Sequence, residues 1–511
     1  MSSLALPRET VSCPAPSGRL SRLIAHRSEA IILTVPVAML ALFAVVQLPR
    51  EFGVDSWLAL ASGRLVWQSG IPHHETLTVM SQGIAWIDQQ WLAQVASYAL
   101  DRLGGLGLLG TVNCLLITSG VAIATASARR RGASFLAVLI MAPICVVMVL
   151  PSREIRTQAF AVPLFALLVG LLARDSRAPS RRIFWCLPLL MLWANLHGTV
   201  TLGAALVGLH GLITLWERRH TLRSSARAWG RPLGLLLGPA VALLCTPYGL
   251  AIVGYYRTTM VSSTLRQTVS EWQPVTSMPA IAAGVFLICA VAIWSFGRNP
   301  ERTTTWEKLA LLVVAAGAIE VVRNSLFLAL LAMAVVPVSL HWGAGASILA
   351  PDRRRVLING SVALLTASCV IVATAAALVR PGAAIELSAQ RLGVLTAVRH
   401  ATQADPQLRV LAGQQFDDWL LWRDPALTGH LANDVRFELL TVGQIYRLKS
   451  LFAQIGPDFT RAAQGYRLLV LDRASEPAAF VAFTHEPGRR ILYEDGHRAV
   501  ILRTAQAAAQ G

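Results

Sequence analysis

Apolar runs as long as a bilayer-spanning helix, roughly 17–25 residues, recur along this chain and are separated by short arginine-rich blocks. Few folds are open to such a pattern, because backbone inside hydrocarbon must be hydrogen-bonded as helix or as closed barrel. Composition agrees: 54% of residues are hydrophobic and 14% are charged, against about 25% charged in a soluble domain. Much of the surface therefore faces lipid. A formal charge of +17 in a soluble protein would point to nucleic acid. Here the arginines cluster between apolar runs, where topology signals lie, so no nucleic-acid partner is expected.

The first candidate span, residues 31–48, follows Arg8, Arg19, Arg22 and Arg27 and reads as an uncleaved signal anchor with a cytoplasmic N-terminus. The basic blocks at 129–131, 174–182, 218–231, 298–302 and 353–355 all fall on that same side if the chain crosses about eleven times. Residues 183–216 must then cross twice within too few residues for two full spans. We read two short helices meeting at a non-helical apex, Trp193-Ala-Asn-Leu-His-Gly-Thr199. Irregular backbone at membrane depth survives only in protein or beside a wet cavity, so the apex is expected to border one on the outer side.

The expected fold is mainly α: a polytopic transmembrane helical bundle with a C-terminal extracytoplasmic α/β domain. Residues 1–30 form a cytoplasmic tail, 31–379 the membrane domain and 380–511 the outer domain. Within the last, 408–413 and 466–471 read as buried strands, 437–455 and 476–484 as helices, and 490–503 as a hairpin turning at Glu494-Asp-Gly496. Six of the seven cysteines lie in apolar runs and no pair has CxxC spacing, so they read as small core residues.

Between the first two spans, residues 51–104 form a polar, aromatic and acidic insert holding Asp55, Glu75 and Asp88. Long loops in compact architectures are functional or disordered, and this one alternates apolar and polar residues too regularly for disorder. Asp55, in Asp55-Ser-Trp57, suits a general base or a metal-assisting carboxylate. It equally suits a helix N-cap, since a helical run follows. Trp86 and Trp91, candidate substrate-binding residues, flank Asp88, which is again a base or a cap; tryptophans also gather at membrane interfaces. Three carboxylates in one aromatic loop suit sugar hydroxyls or a divalent cation (Mg or Mn), although no residue is assigned as a metal ligand.

A second cluster, Arg153, Glu154, Arg156 and Gln158, occupies a short outer turn. Two arginines there suit a phosphate gripped bidentately, or else lipid headgroups. His197 at the apex reads as a polar ligand to substrate or as a structural histidine. Arg323 lies near the outer end of a span beside Glu320. Ionisable groups at such positions are usually functional, which makes Arg323 a further phosphate partner. No Walker loop, dinucleotide fingerprint, zinc motif or nucleophile elbow occurs. An outer-face enzyme without nucleotide needs a donor already delivered to that face, a requirement lipid-linked substrates meet.

Asp55-Ser-Trp57, Ala61-Ser-Gly-Arg64, Gly70-Ile-Pro72, Trp86-Ile-Asp88, Trp91-Leu92, Asn195-Leu-His-Gly198 and Thr246-Pro-Tyr-Gly249 resemble motifs of bacterial polytopic proteins related to GT-C glycosyltransferases. The outer domain, through 413–422, Asn433-Asp-Val-Arg436 and Tyr493-Glu-Asp495, resembles the domain that ends many members. The resemblance implies a multi-pass protein of the bacterial inner (cytoplasmic) membrane. It also implies a polyprenyl-phosphate-linked sugar as donor, a membrane-lipid environment and an extracytoplasmic glycan, lipid or protein acceptor. It makes Asp55 the catalytic carboxylate, with Asp88 and Glu75 as auxiliaries. The chain departs from the pattern at Gln90, where relatives often carry an acidic residue, and near Glu75, where they carry an Asp. A lipid or solute transporter, with its ligand at the interrupted helix pair, and a non-catalytic scaffold are the alternatives.

Overall fold

The computed structural model describes residues 52–149, 154–220, 226–261, 266, 269–340, 389–452 and 459–510. The expected tail, the first span at 31–48, the basic block at 353–355, the last run at 356–379 and Arg153 lie outside the described residues. The membrane part is built from α1 (Val54–Ser69), α2 (Trp91–Arg130), α3 (Phe135–Val149), α4 (Gln158–Asp175), α5 (Cys186–Ala194), α6 (Val200–Glu217), α7 (Gly230–Leu244), α8 (Ile252–Val261), α9 (Pro279–Arg298), α10 (Thr305–Glu320) and α11 (Ser325–Ser339). Five helices among the described residues are long and apolar enough to cross a membrane, or six with the α7–α8 pair, which bends by 103° at its break. The multi-pass architecture is therefore present.

Much of the insert is helical. Helix α1 occupies its first third, and α2 begins at Trp91 and continues into a span. The bend between the two parts of α2 falls at Gly104 and Gly105. Gly105 has φ +68°, in the left-handed region that only glycine enters at little cost. The two-helix reading of 183–216 holds with unequal members: α5 has 9 residues and α6 has 18, joined by the apex at 195–199.

Helix α11 is the centre of the bundle, buried along its whole length. Phe165, Trp193 and Phe327 pack edge-on or tilted against one another around it. The basic blocks meet at one end of the bundle. Arg131 and Arg177 both reach Glu307, at 2.5 and 2.7 Å, and Glu307 completes a capping box with Thr304 at the start of α10. Asp175 joins His210 at 2.8 Å and also pairs with Arg231. Helix α4 runs from this end to Gln158, about 27 Å away at 1.5 Å per residue. The polar residues of the insert and the 154–158 turn lie at that far end.

The C-terminal unit carries α12 (Ala389–Ala404), β1 (Val410–Ala412), α13 (Asp417–Arg423), α14 (Val442–Phe452), β2 (Leu468–Asp472), α15 (Pro477–Thr484), β3 (Arg490–Glu494), β4 (Arg498–Leu502) and α16 (Ala505–Gln510). The sheet order is β1-β2-β4-β3. Strands β1 and β2 are parallel, with Val410 opposite Leu468, and the other pairings are antiparallel. The hairpin expected at 490–503 is β3–β4, with a register shift between Ile491 and Tyr493.

The insert is stitched to this sheet. Val79 and Met80 donate backbone N–H to Leu431 and Ala432, and Gly429 donates to Leu77. Trp57 stacks on Trp422 at 4.8 Å, and Arg64 donates to the carbonyls of Leu421 and Trp422 at 2.6 and 2.7 Å. Trp57, Leu60, Trp419 and Leu420 share one hydrophobic core.

Candidate active site

Where the far end of the bundle meets the C-terminal unit there is a cavity of about 660 Å³. Its walls include the start of α1 (Asp55), the start of α2 (Gln90, Gln94), the turn before α4 (Arg156, Thr157), the α5–α6 apex (His197), α8 (Tyr255, Tyr256), the segment before α9 (Glu271, Trp272) and the α10–α11 turn (Arg323). The C-terminal unit closes it with Gln414, Arg436, Glu438 and Lys449.

Asp55 sits in the first turn of α1, whose N-cap is Gly53. It is therefore not the cap. A carboxylate there is favoured by the helix dipole, and its side chain keeps 37% exposure toward the cavity. The chain holds it against the 154–156 turn. Ser56 Oγ donates to the Ile155 carbonyl at 2.6 Å, and a Cβ at Gly53 would overlap Glu154 Oε1. Arg156 Nε lies 3.2 Å from Asp55 Oδ2, while its other two nitrogens pair with Glu154 and Glu271. Burial works against the Arg156 charge, but these carboxylates outweigh it and hold its pKa above the usual arginine range. Burial pushes the Glu154 carboxyl up. Burial opposes ionisation of Glu271 too, but Arg156 and Arg323 outweigh it and hold that carboxyl below its usual value.

Arg323 lies over the Trp272 ring at 5.3 Å. Its buried Nε has no hydrogen-bond partner, and it makes no ion pair among the described residues. Lys449 likewise has no ion pair among them and sits 5.5 Å from the Phe437 ring centre. At the apex, the Thr199 N–H donates to His197 Nδ1 at 3.2 Å. That nitrogen is then an acceptor, so the ring is neutral with its proton on Nε2. Gln90 Oε1 accepts from Thr157 Oγ1 at 2.6 Å and so braces the turn next to Arg156.

The other expected site residues lie behind the cavity wall. Glu75 is fully buried; it accepts N–H groups from Leu77 and Thr78 and pairs with Arg436 Nη1 at 2.5 Å. Arg436 also pairs with Asp434 and lies 4.2 Å over the ring of Trp86, itself buried. The Trp91 indole N–H donates to Asn195 Oδ1 at 3.0 Å and so pins the apex to the insert. Asp88 is buried and precedes the α2 N-cap, Gln90, so it is not a cap either. Burial pushes its carboxyl up to about 7 against the pull of Arg436. Glu438 on the cavity wall is pushed up to about 7 for the same reason.

Those two shifts set a pH dependence. The folded chain keeps protons on Asp88 and Glu438 up to about pH 7, whereas unfolded carboxyls release theirs near pH 4. Between these values the folded state binds more protons, so stability falls as pH rises. Melting temperature in detergent is expected to drop from about pH 5 to about pH 8. Burial pushes Glu476 up to about 7 and also raises Asp417 and Asp418, so Asp88→Asn with Glu438→Gln should reduce that slope without abolishing it, and an unchanged slope in the double variant would contradict the assignment.

Residues 255–279 and the C-terminal unit supply site residues that sequence reading passed over: Glu271, Trp272, Gln414, Glu438 and Lys449. Two signals were available. Lys449 is one of only two lysines, and Arg436 ends the Asn433-Asp-Val-Arg436 motif.

No family model matches the chain, and no curated protein matches its sequence. Its fold does have solved counterparts. It is similar to ArnT from Cupriavidus metallidurans bound to undecaprenyl phosphate, with a TM-score of 0.54 and 16% identity over 94% of this chain and 99% of that one. The apo state of the same protein gives a TM-score of 0.52 and 15% identity over the same shares. The chain thus shares the overall fold of that protein.

Proposed function

We propose that this chain is a membrane glycosyltransferase that moves a sugar from a polyprenyl-phosphate donor to an extracytoplasmic glycan, lipid or protein acceptor. The observation that carries the reading is one cavity holding a partly exposed carboxylate, Asp55, together with a guanidinium, Arg323, that makes no ion pair among the described residues. The fold shared with a protein solved with undecaprenyl phosphate supports it.

In this reading Asp55 removes the proton of the acceptor hydroxyl as that oxygen bonds to the anomeric carbon. The bond from that carbon to the phosphate oxygen breaks on the opposite face, and its electron pair leaves with polyprenyl phosphate. Arg323 takes up the charge developing on the phosphate, and His197 Nε2–H is a further donor to oxygen. Arg156 flanks this position, and Arg153, outside the described residues, is assigned to the same phosphate from the sequence alone. Glu75, Asp88, Trp86 and Trp91 act through the frame, by fixing the insert against the apex and against Arg436. The C-terminal unit, through Gln414, Glu438 and Lys449, faces the acceptor side of the cavity.

Arg323→Ala is expected to weaken donor use by about 1.5–3 kcal/mol, roughly ten- to a hundredfold, as for a lost hydrogen bond to a charged group. The measurement is transfer in vesicles at varied polyprenyl-phosphate-sugar, with the loss appearing in kcat/KM and Arg323→Lys recovering part of it. An unaltered kcat/KM would remove Arg323 from the phosphate site.

A further inference from the structure

Polyprenyl-phosphate chemistry invites a divalent cation at the carboxylates of such a site, and the carboxylates gathered at the start of α1, with Asp55 and Glu271 on the cavity wall and Glu154 beside them, do not fit one. Asp55, Glu154 and Glu271 come from three separate segments, and all three direct an oxygen at the same group, the Arg156 guanidinium. The approach is built into the chain. Only a glycine at position 53 leaves room for Glu154, and Ser56 ties α1 to the 154–156 turn. Arg323 adds a second positive charge facing the same cavity.

We propose that Arg156 is the site's built-in counter-cation: its guanidinium holds the place where Asp55, Glu154 and Glu271 converge, so the native site takes up no divalent cation. A divalent ion drawn to these oxygens would sit beside a fixed guanidinium, and like charges at such separations repel. A guanidinium differs from a metal in direction as well as charge. It offers separate N–H groups in a rigid plane, so each carboxylate is oriented individually and Asp55 keeps an oxygen toward the cavity. Arg156 is then a positioning residue for Asp55. That last role rests on the glycosyl-transfer reading, whereas the exclusion of a cation does not.

The test uses the full chain in nanodiscs, with Mn(II) binding followed by electron paramagnetic resonance and transfer assayed separately. The wild type should bind no Mn(II) that depends on Glu271, and any transfer it shows should be unchanged after chelation. Arg156→Ala should gain a Mn(II) site at least tenfold tighter than anything in the wild type, lost again when Glu271→Gln is added. Arg156→Lys, which keeps a charge, should not gain it. A wild-type Mn(II) site abolished by Glu271→Gln overturns the proposal without any variant at 156. So does transfer lost on chelation and restored by Mn(II), or a folded Arg156→Ala chain that binds none. Since binding is read without activity, a chain that transfers no sugar still decides the cation question.

Discussion

Asp55→Asn is expected to reduce sugar transfer by about 10²–10⁴-fold, the usual contribution of a positioned general base, while the chain folds and inserts as before. The amide keeps the size of the carboxylate and its place in the first turn of α1, so the packing of Trp57 against Phe52 and Trp422 is undisturbed. What it loses is the ability to accept the acceptor's proton. The loss should fall on kcat, with donor KM nearly constant, because Asp55 faces Arg156 and not Arg323. Transfer in vesicles supplied with donor is the measurement, with detergent melting as the folding control. Activity within a fewfold of wild type would sink the assignment of Asp55.

The largest effect on stability is expected from Arg436→Met. Arg436, Glu75 and Asp434 are all buried, at 5%, 0% and 4% side-chain exposure, and the guanidinium neutralises both carboxylates while resting on Trp86. Removing one member of a buried ionic cluster costs about 3–5 kcal/mol, because the charge left behind has neither partner nor water. Here the damage falls on the seam between the insert and the C-terminal unit. Melting temperature should drop, and limited proteolysis should cut between 70 and 90 before any span is reached. Adding Glu75→Gln should recover part of the loss, since it removes one stranded charge. A double variant less stable than the single one would show that Glu75 is held by its backbone donors alone.

Much of the architecture was legible in the sequence because it is a local property. Whether a run such as 279–298 spans a bilayer depends on its own length and apolarity, and α9 lies there. The arginine blocks were expected on one side, and Arg131, Arg177 and Arg231 do gather at one end, around Glu307 and Asp175. The broken pair around 195–199 was legible for the same reason: Asn195, His197 and Gly198 interrupt an apolar stretch. The hairpin at 490–503 announced itself by its turn. The capping expectation at Asp55 and Asp88 failed over a shift of two residues in each case, with Gly53 and Gln90 at the caps instead. Helix ends are settled by packing as much as by composition.

By itself, then, the sequence determined the class of molecule, the positions of most elements and the end of the bundle where its chemistry gathers. It singled out Asp55 and Arg323, which do line one cavity although 268 positions apart in the chain. Only the tertiary structure decided which charges are free to act. Arg156 and Arg323 look alike in sequence, yet one is enclosed by Asp55, Glu154 and Glu271 and the other has no ion pair among the described residues. Glu75 and Asp55 look alike too, yet one is sealed against Arg436 and the other faces open space. The physical reason is that a side chain's charge state and reach depend on neighbours that arrive from distant segments, and on whether water arrives with them. Hydropathy reports a residue's preference for lipid or water, whereas the partner it meets is settled when the helices and the sheet come together.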